Sequence, residues 1–208
     1  MKFSDLRFHR LIDQLPGALN SEIVHSVGTP AVTARPDNCR QLGECSELAS
    51  NDRLSALLAA GLMYEAAKLL GHRFTIRHNV IKGRQLGRQL GFPTANMKLS
   101  ADIPLRNGVY AVRFRRADGG LFSGVASLGH RPTIEANGVQ LLETYIFDFC
   151  DDLYGEPCSV SFFDYIRKEQ KFDDLESLVS AMKRDEAQAR TILRAARPVG
   201  AIDTATCF

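Results

Sequence analysis

The stretch Gly108-Val109-Tyr110-Ala111-Val112-Arg113-Phe114-Arg115-Arg116-Ala117-Asp118-Gly119-Gly120-Leu121-Phe122-Ser123-Gly124-Val125-Ala126-Ser127-Leu128 reads as two strands folded back on each other. Branched and aromatic side chains fill both arms, and Ala117-Asp118-Gly119-Gly120 between them supplies glycines that accept the positive φ of a tight hairpin. Strand-like runs of the same kind occupy 74–82, 140–149 and 158–166. Too few helical segments lie between them for parallel crossovers. The chain is therefore expected to be mainly β, with short antiparallel strands forming a closed or nearly closed barrel.

On either side of these runs the apolar period becomes helical. Leu54, Leu57, Leu58, Leu62, Met63, Leu69 and Leu70 predict a linker helix over 48–72, with Ser50 to Asp52 as N-cap candidates and Gly71 just past its end. Leu175, Leu178, Val179, Met182, Ile192 and Leu193 predict a second amphipathic helix, capped by Asp173 or Asp174 with Glu176 in its first turn. Residues 1–47, broken by Pro16, Gly17, Gly28, Pro30 and Pro36, read as a loosely ordered lead-in. The expected organisation is this lead-in, the helix, one barrel with its C-terminal helix over 73–196, and a tail over 197–208.

Composition narrows the function classes. A chain of 208 residues with 45% hydrophobic and 24% charged side chains suits one soluble globular domain. Its 26 basic and 24 acidic residues nearly balance, which disfavours wholesale nucleic-acid or membrane-surface binding, so any anion site must be local. Met1-Lys2-Phe3-Ser4-Asp5-Leu6-Arg7 has no apolar run to serve as a signal, and a cytoplasmic location is expected. Cys39, Cys45, Cys150, Cys158 and Cys207 are scattered, as are the five histidines, which argues against a zinc site or a disulfide framework.

The chemistry-bearing segment is Lys82-Gly83-Arg84-Gln85-Leu86-Gly87-Arg88-Gln89-Leu90-Gly91-Phe92-Pro93-Thr94-Ala95-Asn96. Glycines let backbone N–H groups approach an anion, and Lys82, Arg84 and Arg88 add a positive field. Pro93 biases Phe92 towards extended geometry, so Thr94 and Asn96 project from one side as hard oxygen donors of the type Mg²⁺ accepts. On the residues alone, a basic surface loop followed by a local turn accounts for the segment equally well. Further on, Glu143 interrupts the apolar alternation Leu141, Tyr145, Phe147, Phe149, a placement that costs desolvation unless the acid is paired or used.

Gly91-Phe92-Pro93-Thr94-Ala95-Asn96 resembles the signature of riboflavin kinases, including the kinase half of bacterial bifunctional riboflavin kinase/FAD synthetases. The resemblance continues through Gly108 to Ala111, Gly129 to Thr133, Glu143 to Phe149, Asp152 to Gly155 and Ile166 to Phe172, in order, over about 74–195. It implies a small Greek-key-like β-barrel and transfer of the ATP γ-phosphate to riboflavin, with Mg²⁺ as cofactor. Riboflavin, FMN, ATP and ADP would be its partners. By the same resemblance Thr94 and Asn96 would hold Mg²⁺ and phosphates, and Gly83, Gly87, Arg88, Gly91 and Pro93 would belong to the ATP loop. Glu143 would be the catalytic base, and Arg167, Glu169 and Phe172 would lie in the segment that closes over the flavin. Without that context, Arg167 and Glu169 read as a surface ion pair and Phe172 as a core anchor.

The sequence also departs from the family. The His-x-Gly-His and Ile-Ser-Ser-Thr-Arg motifs of the adenylyltransferase half are not intact, Ala49-Ser50-Asn51-Asp52-Arg53 standing as an eroded counterpart of the second. FAD synthesis is not expected. Gln85 and His78 stand at or near positions where relatives have glycine, and a side chain that needs positive φ there would weaken ATP use. A flavin-binding protein with weak catalysis is accordingly the second function class.

Overall fold

The computed structural model describes residues 6–7, 51–83, 91–100, 103–130 and 140–208. Helix α1 covers 51–60 and α2 covers Met63–Leu70. The single linker helix expected over 48–72 is thus two helices. Gly61, at φ +77°, turns the chain between them, in a backbone region where a right-handed helix cannot continue.

Among the described residues there are eight strands: β1 Leu6–Arg7, β2 Thr75–Asn79, β3 Thr94–Leu99, β4 Gly108–Arg115, β5 Leu121–His130, β6 Gln140–Ile146, β7 Pro157–Arg167 and β8 Lys171–Phe172. Within the segment expected to be a lead-in, β1 pairs antiparallel with β8, Leu6 opposite Phe172. The other six form one antiparallel sheet in the order β2-β7-β4-β5-β6-β3. The meander β4-β5-β6 with β7 returning beside β4 is a Greek key. Its two edge strands meet where Ile81 N donates to Asn96 O at 2.8 Å, so the sheet curls into the nearly closed barrel that the strand pattern predicts.

Period-two alternation divides the side chains between two cores. Met97, Leu128, Leu142, Tyr110, Val112, Phe114, Val160 and Phe162 fill the barrel, and the Tyr110 and Phe162 rings meet edge to face at 5.1 Å. The opposite faces form an outer wall. Helix α3, Leu175–Ala195, lies over β4, β5 and β7 and buries the stripe Leu178, Ala181, Asp185, Ala189 and Leu193. Alternation after Phe162 sends Phe163 outward to this helix, where it packs with Ala111, Ala189 and Leu193, and a register shift next to it returns Tyr165 to the barrel side opposite Tyr110. Asp174 caps α3 by accepting from Ser177 N at 2.7 Å.

The expected tail at 197–208 contains a docked helix, α4, over Ala201–Cys207. Asp203 is fully buried and accepts from Arg73 N at 3.1 Å and Val199 N at 3.0 Å, with Arg73 Nε 3.4 Å away. Arg113 donates to Cys207 O, and Arg115 donates to Ala205 O and Thr206 O, so two cations satisfy the carbonyl end of the helix. These tertiary partners, rather than the short apolar pattern of 201–207, hold α4 in place. Asp203→Ala leaves the buried Arg73 guanidinium without its carboxylate, with Arg197 O and the Phe163 ring remaining beside it, and is expected to cost about 3 kcal/mol in urea unfolding. An unchanged midpoint would show that the pair does not bear on stability.

Candidate active site

Strand β3 follows Pro93, whose ring biases the preceding residue towards extended backbone. Ala95, Met97 and Leu99 point into the barrel, which sends Thr94, Asn96 and Lys98 to the outer face. In β6, Leu142 and Ile146 point inward, so Leu141, Glu143 and Tyr145 point outward. Asn96 is directly opposite Glu143 and Thr94 directly opposite Tyr145. Directly opposed residues of an antiparallel pair have Cβ atoms roughly 4.5–5.5 Å apart. The two oxygen donors and the acid therefore share one patch of the outer wall, with Ser127 of β5 on the other side of Glu143.

Both central groups are buried, Asn96 at 3% exposure and Glu143 at 8%. Asn96 Nδ2 donates to Thr94 O at 3.1 Å, which fixes the orientation of the carboxamide because a carbonyl can only accept. Among the described residues Asn96 Oδ1 has no donor. A buried acceptor left in this state costs about 1–3 kcal/mol and calls for an explanation. Thr144 Oγ1 is also unpaired but belongs to the face that lines the apolar barrel, whereas Asn96 Oδ1 belongs to the wall it shares with Glu143. An unpaired carboxamide oxygen beside a hydroxyl and a carboxylate is a donor set that fits Mg²⁺.

The approach to this patch is built from Phe92, Pro93 and Gly91. Phe92 is buried against Tyr145, ring centroids 5.1 Å apart and nearly perpendicular. Pro93 and Gly91 are exposed, and Gly91 has φ +84°. Gly83 lies against the Asn96 side chain. Gly87, Arg88 and Gln85 lie outside the described residues. His78 sits within β2 opposite Cys158 at negative φ, so its backbone needs no glycine. Burial raises the Tyr145 hydroxyl above its ordinary range, and the Glu186 carboxylate adds to the shift.

The expected flavin-side residues have a different setting. Arg167 forms a two-pronged pair with Asp185 of α3, Nε to Oδ1 at 2.8 Å and NH2 to Oδ2 at 2.7 Å. Its guanidinium also lies 5.9 Å from the Phe172 ring centroid. Glu169 is exposed in the short connection between β7 and β8. Arg167 thus ties the end of β7 to the helix through Asp185 and approaches Phe172. Gly108 allows this strand end to come close: at φ +149°, a Cβ there would stand 2.5 Å from Arg167 O. Asp185 could have been found in the sequence as an acid within the apolar stripe of α3.

A second clamp joins α3 to the end of β6. Asp148, with φ 56°, pairs with Arg190, and the Arg190 guanidinium covers the Phe147 ring at 4.3 Å from its centroid. Both clamps fix the helix over β4, β5 and β7.

A profile of the riboflavin kinase family, Flavokinase, matches residues 70–193. The chain belongs to the riboflavin kinase family. A bifunctional riboflavin kinase/FMN adenylyltransferase of Haemophilus influenzae is 41% identical over 142 residues, which cover 68% of this chain and 46% of the relative. The RNA-binding riboflavin kinase RibR of Bacillus subtilis is 44% identical over 110 residues, covering 53% and 47%. Among solved structures, a macrolide-efflux protein from Streptococcus pneumoniae superposes with a TM-score of 0.61 at 35% identity, over 67% of this chain and 45% of that one. The chain spans about half the length of the curated relatives it matches.

Asp185→Ala leaves the partly buried Arg167 without its carboxylate and is expected to cost about 2 kcal/mol, between the values for exposed and fully buried pairs. Urea denaturation followed by circular dichroism measures it. A midpoint equal to that of the unsubstituted protein would mean that the clamp contributes nothing.

Proposed function

We propose that this chain is a riboflavin kinase, transferring the γ-phosphoryl group of ATP to the ribityl 5′-hydroxyl of riboflavin to give FMN and ADP. The observation that carries the reading is the cross-strand placement of Glu143 opposite Asn96, a buried acid beside an oxygen donor that is unpaired among the described residues. Family membership supplies the substrates, and the geometry is compatible with the chemistry they require.

A ribityl hydroxyl is barely ionised near neutral pH, so a carboxylate within hydrogen-bond reach assists by taking its proton as the oxygen attacks phosphorus. Glu143 is the residue assigned to that step. The new bond joins the ribityl oxygen to the γ-phosphorus, the bond to the β–γ bridging oxygen breaks, and ADP leaves with that electron pair. Thr94 and Asn96 would hold Mg²⁺, which when bound supplies charge neutralisation to the phosphate oxygens. Gly91 and Pro93 shape the approach, and Gly87 and Arg88 are assigned to the ATP loop from sequence. Arg167 and Phe172 would frame the flavin side with Glu169, Arg167 acting from its pair with Asp185.

Riboflavin, FMN, ATP and ADP are the proposed ligands. The near-neutral formal charge of +2 gives no reason to add nucleic acid, although RNA binding is part of the Bacillus relative's name. Among the described residues Cys150, Cys158 and Cys207 are free thiols, and burial pushes the Cys158 thiol up to about 12, which leaves it unreactive near neutral pH. No helix among the described residues is long and apolar enough to cross a membrane. FAD synthesis is not proposed, because the adenylyltransferase motifs are not intact.

The test is purified protein with riboflavin, ATP and Mg²⁺, products resolved by chromatography, alongside Glu143→Gln. FMN without FAD is expected, its rate falling about 100- to 10,000-fold in the variant while riboflavin binding persists. Riboflavin binding without product would favour the non-catalytic flavin-binding reading. FAD formation would overturn the account of the N-terminal segment.

A further inference from the structure

Gly83 is a glycine whose backbone does not need to be one. Its φ lies outside the left-handed region, so an alanine could adopt the same conformation. What forbids a side chain is its neighbour. A Cβ at this position would stand 2.6 Å from Asn96 Cγ and 2.9 Å from Asn96 Oδ1, and closer still to Nδ2. At Gly108, Gly124 and Gly200 the obstacle to a Cβ includes main-chain carbonyl oxygen; at Gly83 the three nearest atoms all belong to one carboxamide.

Two other contacts bear on that carboxamide. Its Nδ2 donates to Thr94 O, and the Asn96 main-chain oxygen accepts from Ile81 N two residues before Gly83. The terminal torsion of an asparagine is broad and roughly two-fold, so the Thr94 bond alone leaves the amide plane free to rock. Gly83 closes the remaining side. A Cβ would force one of two responses. Either the amide rotates, loses Thr94 O and turns Oδ1 away, or the 81–83 segment moves out and loses the bond that closes the barrel.

We propose that Gly83 is a positioning residue for Asn96: its bare Cα and the Thr94 carbonyl together hold the carboxamide so that Oδ1 remains available as a metal ligand. This rests on the kinase reading for the identity of the metal–nucleotide pair. It differs from the role suggested by a glycine-rich loop, where Gly83 would matter because its own backbone approaches phosphate. The two roles make opposite predictions about coupling. If Gly83 acts through Asn96, its substitution should matter only while the Asn96 side chain is present.

The experiment is a double-mutant cycle on the full chain with Gly83→Ala, Asn96→Ala and the two combined. The principal readout is uptake of Mn²⁺ in the presence of ADP, followed by electron paramagnetic resonance, with steady-state kcat and the KM for riboflavin as the second. Gly83→Ala is expected to weaken Mn²⁺ uptake by about 10-fold or more, the usual size of an effect on a ligand's supporting contact. It should lower kcat while leaving the KM for riboflavin within about 2-fold. In the Asn96→Ala background the same substitution should change uptake by less than about 2-fold.

Equal losses in both backgrounds would overturn the proposal in favour of direct phosphate contact. If Gly83→Ala fails to fold, recovery of a cooperative melt in the double variant supports the contact, and failure of both overturns it. A wild-type protein that takes up Mn²⁺ with ADP but makes no FMN removes the kinase reading and leaves the positioning role standing. One that takes up no Mn²⁺ with ADP removes both.

Discussion

The pairing of Thr94–Leu99 with Gln140–Ile146 is the constraint on which the rest depends. Because side chains alternate with a period of two, one register decides two things together. It sends Met97 and Leu142 into the barrel, and it sets Asn96 against Glu143 on the wall. A slip of one residue would expose the apolar set and bury the polar one. Packing of the core therefore specifies the geometry of the polar patch, and the patch needs no separate device to align its strands. Closure of the barrel at Ile81 and Asn96 adds the loop residue Gly83 to the same spot.

The wall also shows how a polar site can persist beside an apolar core. Helix α3 covers Ala111 and Phe163, and it is held at two places by ion pairs rather than by apolar packing alone. Arg167 and Asp185 fasten it near β7, while Arg190 and Asp148 fasten it at the turn after β6. These arginines are planar, two-pronged donors, which fix direction as well as distance. The helix is thereby located over three strands.

Much of this was legible in the residues. The hairpin over 108–128 and the α3 spacing are local patterns, and they led to the antiparallel barrel and its covering helix. Strand β3 is not legible as a strand, because its alternation Ala95, Met97, Leu99 is short and follows a proline-containing turn. The break at Gly61 was hidden by apolar residues that keep a helical period on both sides. Helix α4 was illegible for a different reason: its anchor Asp203 meets Arg73, 130 residues away in the chain. Thr94, Asn96 and Glu143 were picked out by residue type and family resemblance, but their adjacency required the strand register. Arg167 shows a different limit, since its carboxylate partner Asp185 lies 18 positions on in α3, a pairing that no local pattern reveals.

The lock between Arg73 and Asp203 has a mechanical side. It brings the point where the chain enters the barrel against the point where it leaves α3, with Gly200 packed so closely on Gly71 that a methyl group would not fit. Tension applied across residues 71 and 200 would load this buried ion pair before any β-strand began to shear. The same closeness lets the barrel be spliced into a host polypeptide through two neighbouring junctions, without stretching either connection.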